Sequence, residues 1–239
     1  MSDGPPSNGA SPLESSLPVG PADPAAAGRP SVEGGPTSWL TKVAHPLRWL
    51  SDLTGGGSVY ALLVLFGLNT VDELDRTAFG ILLPEIREEF DLDLQGVLTL
   101  IAIVYVAAFA LQVPIAAMAD RHNRVRIAVI GAGAWALFSF TTGLATGVVM
   151  LAIVRCGSAV GRAVVDPTHN SLLADYYPPE VRPRVYSFHR AANAIGQFVG
   201  PLAGGLLAFS FGWRTPFIVF AIPTAILVVL ALRLHEPLR

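Results

Sequence analysis

The sequence predicts an all-α, polytopic membrane protein: six transmembrane helices built as two triplets, a 3+3 inverted repeat. Three observations predict it. Of 239 residues, 52% are hydrophobic and only 14% charged, with mean hydropathy +0.52, whereas a soluble chain carries roughly a quarter charged residues. Six apolar segments, each near the ~20 residues that cross a bilayer, follow one another with short links. The ionisable residues inside those segments fall on single faces of particular helices instead of scattering.

Composition also excludes. A formal net charge of −2 points to no nucleic-acid partner. The one cysteine, Cys156, forbids an intrachain disulfide and any cysteine metal cluster; it reads as a small packing residue. No phosphate loop, nucleophile elbow or metal-ligand set is present, so no enzyme, metal or cofactor is expected. His122 and His169 are isolated, and read as interfacial or packed. The first ~55 residues contain no apolar core behind a basic start, so the first spanning helix is expected to direct insertion.

Residues 1–38 are rich in Pro, Gly, Ser and Ala and read as a disordered cytoplasmic tail, with too little apolar surface to offset its ordering entropy. In residues 39–57, Leu40, Val43, Leu47 and Leu50 fall at helical spacing, with Lys42 and Arg48 off that stripe and Trp39 and Trp49 near its ends. This suits a segment lying on the membrane surface, although Pro46 interrupts it and a plain juxtamembrane linker serves equally. Residues 58–239 hold the six-helix body. Its segments run Ser58–Pro84, Leu94–Met118, Val125–Thr146, Val148–Leu173, Val185–Phe209 and Thr215–Leu234.

Basic residues orient it. Lys42 and Arg48 precede the first segment, Arg121, Arg124 and Arg126 lie between the second and third, Arg182 and Arg184 between the fourth and fifth, and Arg233 and Arg239 after the sixth. The other side has Arg87 and Arg214. The positive-inside rule then puts both termini in the cytoplasm of a cell (cytoplasmic or inner) membrane protein.

The third and sixth segments carry almost no ionisable side chain within the span, and are expected to face lipid. The first, fourth and fifth hold nearly all of them. The first is the most charged: Asn69-Thr70-Val71-Asp72-Glu73-Leu74-Asp75-Arg76 sits inside an apolar run, and each charge near the bilayer centre costs at least ~2.5 kcal/mol. At about 100° per residue, Asn69, Asp72, Glu73 and Arg76 share a face, with Asp75 at its border. Arg155, Arg162 and Asp166 form a stripe on the fourth segment, and Tyr186, Arg190, Asn193 and Gln197 on the fifth. Such faces line a shared polar cavity, or else pair internally as glue, for instance Asp72 with Arg76 or Arg162 with Asp166. Triplets of inverted topology are a building plan of secondary transporters.

From about Ser58 onward the chain resembles the N-terminal six-helix half of a major facilitator superfamily transporter. Ala116-Ala117-Met118-Ala119-Asp120-Arg121-His122-Asn123-Arg124-Val125-Arg126 is similar to the family's G-x-L-A-D-R-x-G-R-K loop, with Ala116 and Asn123 for the glycines. Asn is expected at position 123 because it tolerates a left-handed backbone. The resemblance implies a cytoplasmic gate of Asp120, Arg121, Arg124 and Asp175. In it, Asp120 faces a helix N-terminus of the other half, and Arg124 pairs with Asp175. A positive-inside loop without gating also accounts for these charges. Arg155-Cys156-Gly157-Ser158-Ala159-Val160-Gly161 resembles the R-x-x-x-G-x-G pattern. Gly196, Gly200, Pro201, Gly204 and Gly205 fit the antiporter motif G-x-x-x-G-P-x-x-G-G, which plain helix packing would also use. The Asp75-Arg76 pair and the Asp120–Arg124 loop look most like the Spinster-type branch, which usually has Glu where this chain has Arg162.

The resemblance implies proton-coupled export or exchange of a small amphipathic organic solute or lipid. Asp72, Glu73 and Asp75 are the proton-coupling candidates, because desolvated carboxylates can titrate near neutral pH. Asn69, Arg76, Arg155, Arg162, Asp166, Tyr186, Arg190, Asn193 and Gln197 are the cavity and substrate candidates. Expected partners are the lipid bilayer, the small-molecule or lipid substrate, protons, and a second six-helix half, as a homodimer or a separate chain. The alternative is a non-transporting half that acts as a membrane scaffold.

Overall fold

The computed structural model describes residues 46–237, with side chains for 48–118 and 121–237. The expected tail (1–38), residues 39–45 of the surface segment and the side chain of Asp120 lie outside the described residues. The described residues form nine helices and no strand: α1 (Pro46–Leu53), α2 (Val59–Ile81), α3 (Leu83–Glu89), α4 (Leu94–Arg121), α5 (Arg124–Thr142), α6 (Val148–Arg162), α7 (Val165–Tyr176), α8 (Arg182–Phe211) and α9 (Thr215–Ala231). Among the described residues α1 begins at Pro46, a position that suits proline because the first helical residue needs no N–H partner.

The six apolar segments correspond to α2–α3, α4, α5, α6–α7, α8 and α9. Two of them are broken. Pro84 denies Gly80 a hydrogen-bond donor, and the chain turns at Leu82 between α2 and α3. Pro167 does the same to Ala163, where α6 passes into α7. Four described stretches combine the length and apolarity of a bilayer crossing: Leu94–Met118, Arg124–Thr142, Val148–Tyr176 and Arg182–Phe211. The other two segments differ for visible reasons: α2 has the length but carries four charges, and α9 has only 17 residues.

Contacts at the two ends show the alternation that six crossings require. At one end Arg124, opening α5, reaches Asp175 of α7 and Glu236 after α9. At the other, Arg214 of the α8–α9 link reaches Glu89 at the end of α3 and the carbonyl of Ala145 in the α5–α6 link. Helix pairing carries the repeat as well. Counting crossings, the first packs on the fifth and the second on the fourth; the third packs on the fourth and the first on the sixth. Exchanging the triplets turns each of these pairs into the other, and the third-on-sixth contact into itself. Three crossings per triplet is an odd number, so the second triplet starts at the opposite end and the repeat is inverted.

The main core joins α2, α5, α7, α8 and α9 around Leu62, Leu65, Leu68, Trp135, Leu172 and Phe220. A second cluster at the Arg214 end gathers Phe79, Leu82, Ile86, Leu100, Leu151, Trp213 and Phe217. Exposure departs from the sequence expectation. The third crossing, α5, is among the more buried, whereas α4 is the least and α8 the next. Small residues explain this. A Cβ on Gly131 of α5 would lie 2.9 Å from the Gly161 carbonyl of α6, and one on Gly161 2.7 Å from Trp135 N. The two backbones meet there, as small-residue helix contacts allow, and α5 is drawn inside.

Candidate functional site

Three local devices set up the site. Ser58 caps α2, its hydroxyl accepting from Ala61 N at 3.2 Å. Asn123 caps α5, accepting from Arg126 N at 2.7 Å. That overturns the left-handed reading of Asn123: its φ is −65° and its ψ 112°, extended backbone in which its side chain satisfies an open helix N–H. The third device is the glycine face of α8. A Cβ at Gly196 would lie 2.4 Å from Glu73 Cβ, at Gly200 2.1 Å from Thr77 Oγ1, and at Gly204 2.9 Å from Ala78 Cβ. These glycines press α8 onto α2 and fix the rotation of its charged face. Gly205 would meet Ile81 at an ordinary 3.5 Å; Pro201 lies within α8, which continues through it.

Between α2, α4, α6, α7 and α8 lies a cavity of about 420 Å³. Asn69, Asp72, Glu73 and Arg76 line it from α2, Arg155 and Arg162 from α6, Asp166 from α7 and Asn193 from α8. Eight of the residues expected to form a polar cavity are therefore brought together. Asn69 spans to α8, donating to Asn193 Oδ1 at 2.8 Å and to the His189 carbonyl at 3.2 Å.

Asp75 stands apart. It is buried behind this wall, with Arg155 Nη1 at 3.1 Å and Arg162 Nη1 at 2.7 Å from the same oxygen, while Ser139 Oγ donates to the other. The side chains of Asp75 and Arg155 are each 1% exposed. The Arg155 guanidinium also lies over Phe79, 4.1 Å from its ring centroid, and 5.4 Å from that of Phe217. Such cation–π contacts add to the ion pair when desolvated.

The pairs expected within single helices do not form as anticipated. Arg76 holds Glu73, not Asp72. Arg162 turns from Asp166 to Asp72 at 3.4 Å, and Asp166 pairs with Arg190 at 3.3 Å. The α6–α7 break separates Arg162 from Asp166, which removes their one-turn register. Four arginines thus meet four carboxylates. The Arg162 departure from the resembling pattern also gains a reason: α2 presents two aspartates, and a Glu there would add a third acid.

Tyr186, Arg190 and Gln197 lie off the cavity wall. Tyr186 donates to the Asn170 carbonyl at 2.8 Å, tying α8 to α7, and Gln197 is exposed. Sequence reasoning missed Ser139, Tyr105 and Gln112. Tyr105 and Gln112 line the cavity from α4, and their seven-residue spacing on an apolar helix was a usable signal. Ser139 gave none, as a single neutral residue.

At the Arg124 end, Arg124 Nη1 lies 2.6 Å from Asp175 and 2.6 Å from Ser171 Oγ, and its Nε 3.0 Å from Glu236. Glu236 also accepts from Val125 N at 2.9 Å, and Tyr176 donates to the His235 carbonyl at 2.5 Å. Burial pushes the Glu236 carboxyl up, but the bonds from Val125 N–H and Arg124 outweigh it and hold it below the usual carboxylate range. Glu236 was not foreseen. Arg121 is exposed. At the opposite end, the hydrogen bond from Arg214 first, and that from Trp213 second, hold the Glu89 carboxyl low.

Comparison with known proteins gives this geometry its setting. The chain is 27% identical over 162 residues to a probable L-galactonate transporter of Escherichia coli, covering 68% of this chain and 36% of that one. It is 29% identical over 147 residues to the multidrug resistance protein Stp of Mycobacterium tuberculosis, covering 61% and 27%. A solved bacterial homolog of the human lysosomal transporter Spinster superposes with a TM-score of 0.65 at 28% identity, covering 75% of this chain and 43% of that one. None of the three is named as an enzyme, and this chain spans less than half the length of each. The broken first and fourth crossings and the repeat-symmetric packing all fall within residues 56–239, where the family model for the Major Facilitator Superfamily matches, and the chain is a membrane protein of that superfamily.

Proposed function

We propose that this chain forms one six-helix half of a secondary transporter that couples proton movement to a small amphipathic organic solute. The observation that carries the reading is Asp72. It faces the cavity 3.4 Å from Arg162, and its Oδ1 accepts no hydrogen bond although it is buried. The other acids are engaged: Asp75 by two arginines and Ser139, Glu73 by Arg76, Asp166 by Arg190. Asp72, held by one contact to Arg162 and with a buried oxygen that accepts no hydrogen bond, is the carboxylate assigned to take a proton. Its neutralisation leaves four arginines against three carboxylates, and the excess positive charge at Arg162 receives an anionic group of the solute. Release of the proton restores the balance and expels it. A relative named as a galactonate transporter supports a carboxylated organic solute.

Both termini are cytoplasmic, since Arg121, Arg124, Arg126, Arg182, Arg184 and Arg233 gather at one end against Arg87 and Arg214 at the other. On this orientation Arg124, Asp175 and Glu236 form a cytoplasmic latch, with Asp120 and Arg121 beside it in the resembling motif. The glycine face of α8, which touches α2, supports exchange as the mode. A second six-helix half completes the cavity. The relatives' greater length supports this, as do the apolar side chains that α4 and α8 leave exposed, among them Phe109, Val113, Phe198 and Phe209.

The test is flux into proteoliposomes under an imposed pH gradient, with aldonate and hexuronate sugar acids as probes. Asp72→Asn is expected to abolish gradient-driven uptake while keeping solute exchange without a gradient; Asp166→Asn is expected to keep both. Gradient-driven uptake that survives Asp72→Asn refutes the assignment. Absence of flux in the parent chain, with the second half supplied, favours the scaffold reading.

A further inference from the structure

A second cavity, of about 700 Å³, lies away from the ionic site, in the angle between the end of α4, the first four turns of α5 and the face of α6. Its walls are Ile115, Ile127, Ile130, Phe138, Val160 and Val164, and its floor is cut low by Gly131, Gly157 and Gly161. Polar residues, His122, Asn123 and Arg126, stand only at the mouth, beside the α4–α5 link. Volumes of this order hold small ligands.

The shape selects the occupant. From Arg126 to Phe138 is twelve residues, about 18 Å at the helical rise, close to the ~15 Å depth of one bilayer leaflet. The trough thus runs from the headgroup level towards the midplane and is apolar all along, with a cation at its wet end. Arg126 is exposed, and among the described residues its guanidinium has no ion-pair partner; Arg121 is exposed five positions earlier. The glycine floor belongs to the α5–α6 contact, so the trough is shaped by packing that the fold already needs. We propose that this trough is a binding site for one anionic phospholipid of the adjoining leaflet, its acyl chain along Ile127, Ile130 and Phe138 and its phosphate at Arg126. This goes beyond transport and does not depend on the ionic cavity.

The test is native mass spectrometry of the full chain in mild detergent, titrated with dioleoyl phosphatidylglycerol or dioleoyl phosphatidylcholine. The parent is expected to retain one phosphatidylglycerol in preference to phosphatidylcholine. Arg126→Gln is expected to lower that preference about fivefold, the share of one basic residue near an anionic surface, while still holding phosphatidylcholine. Ala134→Phe, which fills the trough from α5, is expected to reduce both lipids at least tenfold, with the thermal unfolding of both variants kept near the parent's. Equal retention by Ala134→Phe makes the lipid annular and overturns the proposal. So does failure of the parent to hold either lipid, which means the chain itself covers the trough, and so does a dimer lost on Ala134→Phe, which gives the trough to a second copy. A preference unchanged in Arg126→Gln overturns the headgroup assignment.

Discussion

Removing the charge of Asp75 isolates what the buried triad contributes. In Asp75→Asn the Arg155 and Arg162 guanidiniums lose the negative charge they share at 3.1 and 2.7 Å. Arg162 keeps Asp72, but Arg155, 1% exposed, keeps only a neutral amide and aromatic faces. One ion pair at ~4 Å is worth about 4 kcal/mol at an effective dielectric of 20, and breaking a buried pair from one side costs about 3 to 5 kcal/mol. We expect Asp75→Asn to fall in that range. Asp72→Asn removes a single contact at 3.4 Å from a side chain 16% exposed, and is expected to lose about 1 kcal/mol or less. The double variant Asp75→Asn/Arg155→Met is expected to recover more than half of the loss, since Met fills the space between Phe79 and Phe217 and leaves no orphan charge. Denaturant unfolding in mild detergent, followed by tryptophan fluorescence, measures all three. An Asp75→Asn variant within 1 kcal/mol of the parent, or an Asp72→Asn variant equally destabilised, refutes the division between a structural Asp75 and a cavity-facing Asp72 that adds little to stability.

Three further outcomes follow from the contacts. Gly200→Ala places a methyl 2.1 Å from Thr77 Oγ1 and 2.9 Å from the Leu74 carbonyl, and the overpacking is expected to cost about 1 to 3 kcal/mol; Gly205→Ala, with 3.5 Å of clearance to Ile81, is expected to be near neutral in the same unfolding assay. Asp175→Asn and Glu236→Gln act on one arginine, so their losses are expected to be non-additive by about 0.5 kcal/mol or more, as a double-mutant cycle reads. Glu89 is held below its ordinary 4.5 by Arg214 and Trp213. Its contribution is thus complete above that value and lost as pH falls through the lowered one. The α3 end is expected to loosen on acidification below about pH 4.5, seen as faster amide exchange near Glu89, and Glu89→Gln to remove that pH step.

Periodicity was enough to find which residues share a face, because a helix fixes the angle between side chains whatever surrounds it. It grouped Asn69, Asp72, Glu73 and Arg76 correctly. It could not say that Asp75, about 60° from Asp72 around α2, crosses from the cavity to the interior, since that depends on which helix lies behind. There the neighbour is α5, the apolar third crossing, whose one relevant contribution is the hydroxyl of Ser139. Glu236 was hidden for a related reason: Val125 and Arg124 are 111 and 112 positions away, a separation that no local pattern spans. Packing partners were partly legible all the same. The glycines at 196, 200 and 204 announced a close helix contact but not its partner, and the partner decides their meaning. Because they meet α2 at Glu73, Thr77 and Ala78, they set the rotation that turns Asp72 into the cavity and Asp75 away from it. A motif readable as an exchange signature or as mere packing is, in this bundle, the packing that decides which carboxylate of α2 faces the cavity.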